Sequence, residues 1–255
     1  MLRAGKLPPS RLHSRIAPEL ETVLGLILQG RCHNTFEVNM SHGYLCYSWQ
    51  AFVQQIVHNL SHGYFYYNYY TLPEKRRKRL PHIDNVIQTL FDTDKPRGCR
   101  YHHKKAGKAN YLYLRYDLQI VILRSDGEEV CSERLEQKFQ DIRTTPLAMY
   151  VGELRLKLHR KTDGRITVCF TKDCYHELKG KFLDMLEKRE IERIKYWFNA
   201  LNGVPSYAGV IEHKRLLLAM ILKNAKRHGI PIKRSDFRLT TRLKKYTVFE
   251  KTETD

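Results

Sequence analysis

Five consecutive cations, Lys75, Arg76, Arg77, Lys78 and Arg79, break the chain's hydrophobic patterning and cannot enter a packed core. A second cationic stretch runs from Lys95 to Lys108 and holds Lys95, Arg97, Arg100, Lys104, Lys105, Lys108 and two histidines, with no acid. A third, Lys214 to Lys245, contains one acid, Asp236. The whole chain carries 45 Lys and Arg against 27 Asp and Glu, a formal net charge of +18. Self-repulsion on this scale destabilises a compact state, so a polyanion is the natural partner. Sixteen tyrosines, several of them near these clusters, add aromatic faces on which bases can stack. Nucleic acid is the expected partner, with DNA and RNA both open.

A chain of 255 residues, 42% hydrophobic and 28% charged, is long enough for one large domain or two modest ones and is not a disordered tail. No apolar run approaches the ~20 residues that span a bilayer, and the best, Val23 to Leu28, is far shorter. Membrane partners are therefore not expected. Cys32, Cys46, Cys99, Cys131, Cys169 and Cys174 are too thinly spread for a disulfide scaffold. The expected setting is intracellular, cytoplasm or nucleoid. Arg3, Lys6, Arg11 and Arg15 precede the first acid, Glu19, which suits either a basic arm or a mitochondrial leader; Pro8-Pro9 interrupts any amphipathic helix there.

The periodicities predict an α+β protein: an antiparallel sheet built from hairpins, helices packed on one face, and a helical C-terminal third. Residues 1–16 read as a flexible basic arm and one compact domain follows from residue 17. Within it, residues 17–94 mix helix and strand, 95–110 form a basic loop, 111–171 are β-rich, and 172–255 are helical with a basic tail. Pro18 and Gly30 bracket a first helix. Ser48 caps the clearest one, in which Trp49, Phe52, Val53, Ile56, Val57 and Leu60 make a single apolar stripe. Tyr64 to Tyr70 is a tyrosine-rich strand, and Pro81 opens a short helix. Strands are expected at Tyr111–Tyr116, Leu118–Leu123, Tyr150–His159 and Arg165–Phe170, with a short helix over Glu133–Ile142. Helices begin after Thr171, at Ile191 and after Ser206, and the tail to Phe249 adds a strand.

The expected nucleic-acid contacts are Lys75, Arg76, Arg77, Lys78 and Arg79; Lys95, Arg97, Arg100, Lys104, Lys105 and Lys108; and Lys233, Arg234 and Arg242 of the tail. Strand alternation adds Arg155, Lys157 and His159, with Arg165 on the return strand, as a cationic sheet face opposite Leu154, Leu156 and Leu158. The competing reading of that face is a solvated edge kept from aggregating by its charges. Gly107-Lys108 lacks the spacing of a phosphate-binding Walker loop, with Ala109 where a hydroxyl is required.

Two other chemistries remain open. Asp141, Glu153 and Lys157 resemble the acid, acid, lysine arrangement of PD-(D/E)xK nucleases, although Glu153 and Lys157 stand four apart rather than two. That resemblance implies a divalent metal held by Asp141 and Glu153, with Lys157 activating water. Cys169, Cys174 and His176 are zinc-ligand types at C-x4-C-x-H spacing, without a recognisable second half. The functional alternatives are thus a nucleic-acid-binding protein, for instance in the DNA transactions of a mobile element or plasmid, a metal-dependent endonuclease, or an RNA-binding subunit of a ribonucleoprotein with protein partners.

Overall fold

The apolar stripe after Ser48 becomes the helix around which the molecule packs. In the computed structural model, which describes residues 43–128 and 139–249, α1 spans Trp49–Ser61 and the Ser48 hydroxyl accepts from the Ala51 amide at 3.2 Å. Phe52, Val53, Ile56, Val57 and Leu60 are all buried, against strands of two separate sheets. The first sheet has the order β2-β3-β1-β4, built from β1 (Tyr66–Thr71), β2 (Tyr111–Tyr116), β3 (Gln119–Arg124) and β4 (Gln140–Asp141). The second has the order β5-β6-β7, from Leu147–Val151, Leu154–Arg160 and Ile166–Phe170. All pairings within both sheets are antiparallel.

Between β1 and β2 lie a 3-10 helix (Glu74–Arg79), α2 (Leu80–Phe91) and α3 (Arg97–Lys105). The C-terminal third supplies α4 (Lys172–Glu187), α5 (Ile191–Ala200) and α6 (Ala208–Arg227). Thr171 caps α4 through its hydroxyl, as its sequence position implies. The fold is α+β, as the periodicities predict, but with two sheets sharing one core rather than one.

Four local expectations are corrected. Residues 95–110 are not a loop: α3 occupies Arg97–Lys105, opened by Pro96 and closed by a run of cations that suits its C-terminal dipole. The strand expected over Tyr150–His159 is two strands. Gly152, with a φ of 58°, takes the first central position of a two-residue turn that pairs Val151 with Leu154, so Glu153 sits in a turn and not on a strand. Gln140–Asp141 is strand rather than helix, paired to Tyr66 and Tyr67. Among the described residues the tail forms no ladder; its one bridge, Phe249 to Cys46, is to the segment before α1 and not to a strand of either sheet. The arm, the Pro18–Gly30 helix and residues 133–138 of the expected short helix lie outside the described residues.

The tyrosine run is structural. Tyr67 is buried and donates to Gln140 Oε1 at 2.7 Å, and Tyr69 donates to Gln119 Oε1 at 3.0 Å. Tyr66 carries the Arg124 guanidinium 4.3 Å above its ring and accepts from Arg143 Nη2. Arg143 also covers the Phe65 ring and Arg124 the Phe139 ring, so arginines alternate with aromatic rings along this sheet face.

The connection from β1 to β2 is fixed by a buried ion pair. Asp84 is 1% exposed and on the inner side of α2. Arg115 of β2 donates to it from Nε at 2.9 Å and from Nη2 at 2.8 Å. Tyr113 donates at 2.5 Å and Tyr44 at 3.1 Å, their rings stacked 5.1 Å apart. Burial, then the Asp84 charge, raises both phenols well above their ordinary range, so they remain donors. Asp84→Ala strands Arg115 in the interior. It is expected to cost about 3–5 kcal/mol in chemical denaturation, against about 1–2 for Tyr113→Phe, which removes one hydrogen bond.

Lys214 belongs to the third cationic stretch by sequence but is fully buried on α6, its Nζ 3.5 Å from the Val204 carbonyl. Burial lowers its pKa from 10.5 to about 8. Below about 8 folded and unfolded chains both carry this proton and the folded state bears the desolvation cost; between about 8 and 10.5 the unfolded chain binds more protons, so this group's contribution to stability rises with pH. Lys214→Met is therefore expected to gain about 1–3 kcal/mol at pH 7. Denaturation series for the two proteins should converge as pH rises through that window; a constant gap would contradict the assignment.

Candidate nucleic-acid interface

The 74–108 segment carries eleven Lys and Arg against four acids, and the fold presents nearly all of those cations to solvent. The 3-10 helix buries none of its residues. Arg77 is committed to Glu74 and Asp117, but Lys75, Lys78 and Arg79 are exposed and have no ion pair among the described residues. Leu80, Ile83, Asp84, Ile87 and Phe91 anchor α2, which follows directly. That helix, about 18 Å long, leads from the basic run to α3. On α3, Arg97, Tyr101 and Lys105 recur at four-residue intervals and share one exposed face, with Lys104 beside them. Lys95 is held by Asp92 at 2.8 Å, and Lys108 is exposed at the end of the segment.

The tail is the second cationic element, and its conformation was not legible as a pattern. Residues 237–249 form an irregular strap with a bend at Arg242, tied down mainly by side chains and by the Tyr47 amide on Val248 O. Asn199 Oδ1 accepts from the Arg238 amide at 2.9 Å, Asn202 binds Arg238 O and the Thr240 amide, and the Ser206 hydroxyl donates to Thr240 O. Further on, Gln54 of α1 donates to Lys244 O and accepts from the Tyr246 amide. Arg242 and Lys245 are exposed with no ion pair among the described residues, and Lys244 lies 5.4 Å from the Tyr246 ring centre. Lys233 and Arg234 are exposed in the 3-10 turn before this strap; Arg234 is bonded to Phe237 O.

The two elements meet. Phe249, at the end of the strap, and Arg100, on α3, line one cleft of about 260 Å³ together with Gln55 and Asn59 of α1, Gln88 of α2, and Thr93 and Asp94. Arg100 Nη2 donates to Thr93 O at 3.0 Å, while its buried Nε has no acceptor among the described residues. Burial raises the Tyr64 hydroxyl, and Arg100 opposes that shift.

The β6–β7 hairpin is not the open cationic face that strand alternation predicts. Leu156 and Leu158 do point inward, but α6 rests on the other side. A Cβ on Gly209 would stand 2.7 Å from Val168 O and 2.8 Å from Cys169 Cβ, so only glycine permits that approach. Thr167 is buried beneath it and accepts from the Gly209 amide. Arg155 is spent on Glu177, and Arg165 pairs with Asp163 at 3.5 Å. His159 is half-buried, 3.9 Å from Cys169 Sγ, its pKa lowered by burial and by Lys157.

The metal chemistries gain little geometry. Asp141 is on β4 of the first sheet and Glu153 in the β5–β6 turn of the second. Asp141 is held by Arg143 at 2.8 Å; burial would raise its pKa, but the Arg143 hydrogen bonds bring it below the ordinary carboxylate range. Glu153 lies 3.5 Å from Lys181, not beside Lys157. Cys174 is buried with its sulfur bonded to the Arg155 amide, Cys169 faces α6, and His176 stacks edge-on against Tyr175. Among the described residues no three His, Cys, Asp or Glu side chains converge as a metal site.

No protein-family model matches the chain, and neither a curated protein nor a solved structure does. Among the described residues no helix is long and apolar enough to cross a membrane. The sequence reading missed Gln54, Asn199, Asn202 and Ser206, which hold the strap, and Gln88 and Asp94 in the cleft lining. Only Asp84 left a signal, as an acid at core spacing in α2.

Gln54→Ala with Asn202→Ala removes two of the four side chains that hold the strap, leaving Asn199 and Ser206 in place. Limited trypsin digestion at Arg242 and Lys245 is expected to accelerate at least several-fold, with global stability falling by about 1–3 kcal/mol. Unchanged digestion would show that Gln54 and Asn202 are not what holds the strap.

Proposed function

We propose that the protein binds nucleic acid through α3, the Lys75–Arg79 run and the C-terminal strap. The observation that supports this reading is that exposed cations with no ion pair among the described residues lie on α3 and the strap, each of which gives one residue, Arg100 and Phe249, to a shared cleft. Ion pairing has neutralised Arg77, Arg143 and Arg155, whereas Arg97, Lys104, Lys105, Arg242 and Lys245 are left for phosphates. Exposed aromatics accompany them: Tyr101 on α3 is 64% exposed, and Tyr47, 67% exposed, is hydrogen-bonded through its amide to the strap at Val248 O. Phosphate contacts would supply most of the affinity and base stacking the remainder.

The test is anisotropy titration of labelled oligonucleotides over a range of salt. Affinity is expected to fall steeply with salt, and the triple variant Arg97→Glu, Lys104→Glu, Lys105→Glu to flatten the slope by about 2–3 as three phosphate contacts are lost. Arg165→Glu, on the hairpin, is expected to leave the slope nearly unchanged. A slope near zero in the parent protein, or equal effects from α3 and hairpin variants, would overturn the reading.

A further inference from the structure

The three most exposed large hydrophobic side chains among the described residues are all tyrosines: Tyr196 at 69%, Tyr47 at 67% and Tyr101 at 64%. Single exposed apolar residues are ordinary, so the information is in where these three stand. On α5, Tyr196 precedes Asn199 by one helical turn on the same side of the helix, and Asn199 Oδ1 holds the Arg238 amide at 2.9 Å. The Tyr47 amide donates to Val248 O at 2.9 Å, near the other end of the strap. Tyr101 follows Arg100 on α3, and Arg100 shares the lining of one cleft with Phe249. Between the Tyr196 and Tyr47 anchor points the strap carries Arg238, Arg242, Lys244 and Lys245, all exposed and with no ion pair among the described residues. Around Tyr101 the same is true of Arg97, Lys104 and Lys105. Open aromatic rings and uncommitted cations therefore follow one another from α5, along the strap, to α3.

We infer that this row binds single-stranded nucleic acid, with bases stacked on Tyr196, Tyr47 and Tyr101 and phosphates held by the cations between them. The inference rests on the nucleic-acid reading above and narrows it to unpaired strands. In a duplex each base face is covered by its neighbours and only base edges are offered in the grooves, so a tyrosine ring gains a face to stack on only at the cost of unstacking. An unpaired strand offers its faces freely, and every base has one, so the preference is for the state of the strand and not for its sequence. Phosphate binding alone points the other way, because a duplex carries charge more densely than a single strand and releases more counterions per contact. The strand preference thus reports on the rings, and the salt dependence reports on the cations.

The experiment uses the full chain and compares DNA single strands of about 16 nucleotides with the duplexes made from them, by anisotropy over a range of salt. The single strand is expected to bind about tenfold more tightly than the duplex. Tyr196→Ala, Tyr47→Ala and Tyr101→Ala are each expected to lose about tenfold in affinity for the single strand. Their salt slopes should be retained, since no cation is removed, and their duplex affinities should change little. Tyr196→Phe, Tyr47→Phe and Tyr101→Phe keep the ring and are expected to bind as the parent does, which separates stacking from any role of the hydroxyl. Tyr150→Ala, at a ring 48% exposed on β5, is expected to leave both affinities unchanged. Equal or tighter binding of the duplex, or alanine variants that hold the single strand as the parent does, would overturn the single-strand inference and leave salt-sensitive phosphate binding standing. Absence of salt-sensitive binding to either form would overturn both.

Discussion

The Asp84–Arg115 pair is the contact on which the placement of the cationic surface depends. A buried carboxylate without partners is among the most costly groups a core can hold. Here it is matched by a guanidinium that binds it with two nitrogens and by two phenols, with Arg115 Nη1 also on the Asp117 carbonyl. The pair joins α2 to the turn end of the β2–β3 hairpin. It therefore fixes the helix that has the basic run at one end and α3 at the other. Apolar burial on α2 would tolerate sliding or rotation of the helix on the sheet; a bidentate ion pair with two further donors does not, which makes the network a device of specificity more than of net stability.

The same comparison of paired and unpaired charge organises the whole surface. Each arginine that lies over a sheet is used: Arg143 by Asp141 and Asp126 and by two aromatic rings, Arg124 by Tyr66 and Phe139. These contacts hold the long side chains against the sheet and cover Tyr66, a ring that alternation alone would leave open for stacking. The aromatic rings left exposed stand elsewhere, Tyr101 on α3 and Tyr47 beside the strap among them. Composition gave the number of tyrosines and arginines but not which would consume which.

What the sequence made legible was whatever depends on local periodicity. The α1 stripe, the Ser48 and Thr171 caps and the β2–β3 hairpin follow from spacing and capping chemistry over a few residues. The failures share a cause. Gly152 reads equally well as a strand residue between Val151 and Glu153 until its positive φ is seen. Cations and glycines in 95–110 imitate a loop, although Pro96 and a C-terminal cluster of Lys and His are sound helix ends. The open hairpin face vanished because α6, some forty residues away in sequence, docks through Gly209. The strap is the extreme case, since its partners come from α1 and the α5–α6 connection and no repeat within the strap encodes them.

The way the strap is held bears on how its charges act. A β-ladder would bind both edges of the segment in a regular array and turn alternate side chains into the protein. Fixation by Asn199, Asn202, Ser206 and Gln54 takes up a few backbone groups at two places, near residues 238–240 and 244–246. Between these points the chain is irregular, with a bend at Arg242, and Arg238, Arg242, Lys244 and Lys245 all remain solvent-facing. On the proposed nucleic-acid reading, holding a cationic segment in one path lowers the entropic cost of ordering it against a polyanion, so that repulsion among its charges would be borne in the folded state and relieved on binding. Phe249 of the strap and Arg100 of α3 line the same cleft, so the two elements share that part of the surface.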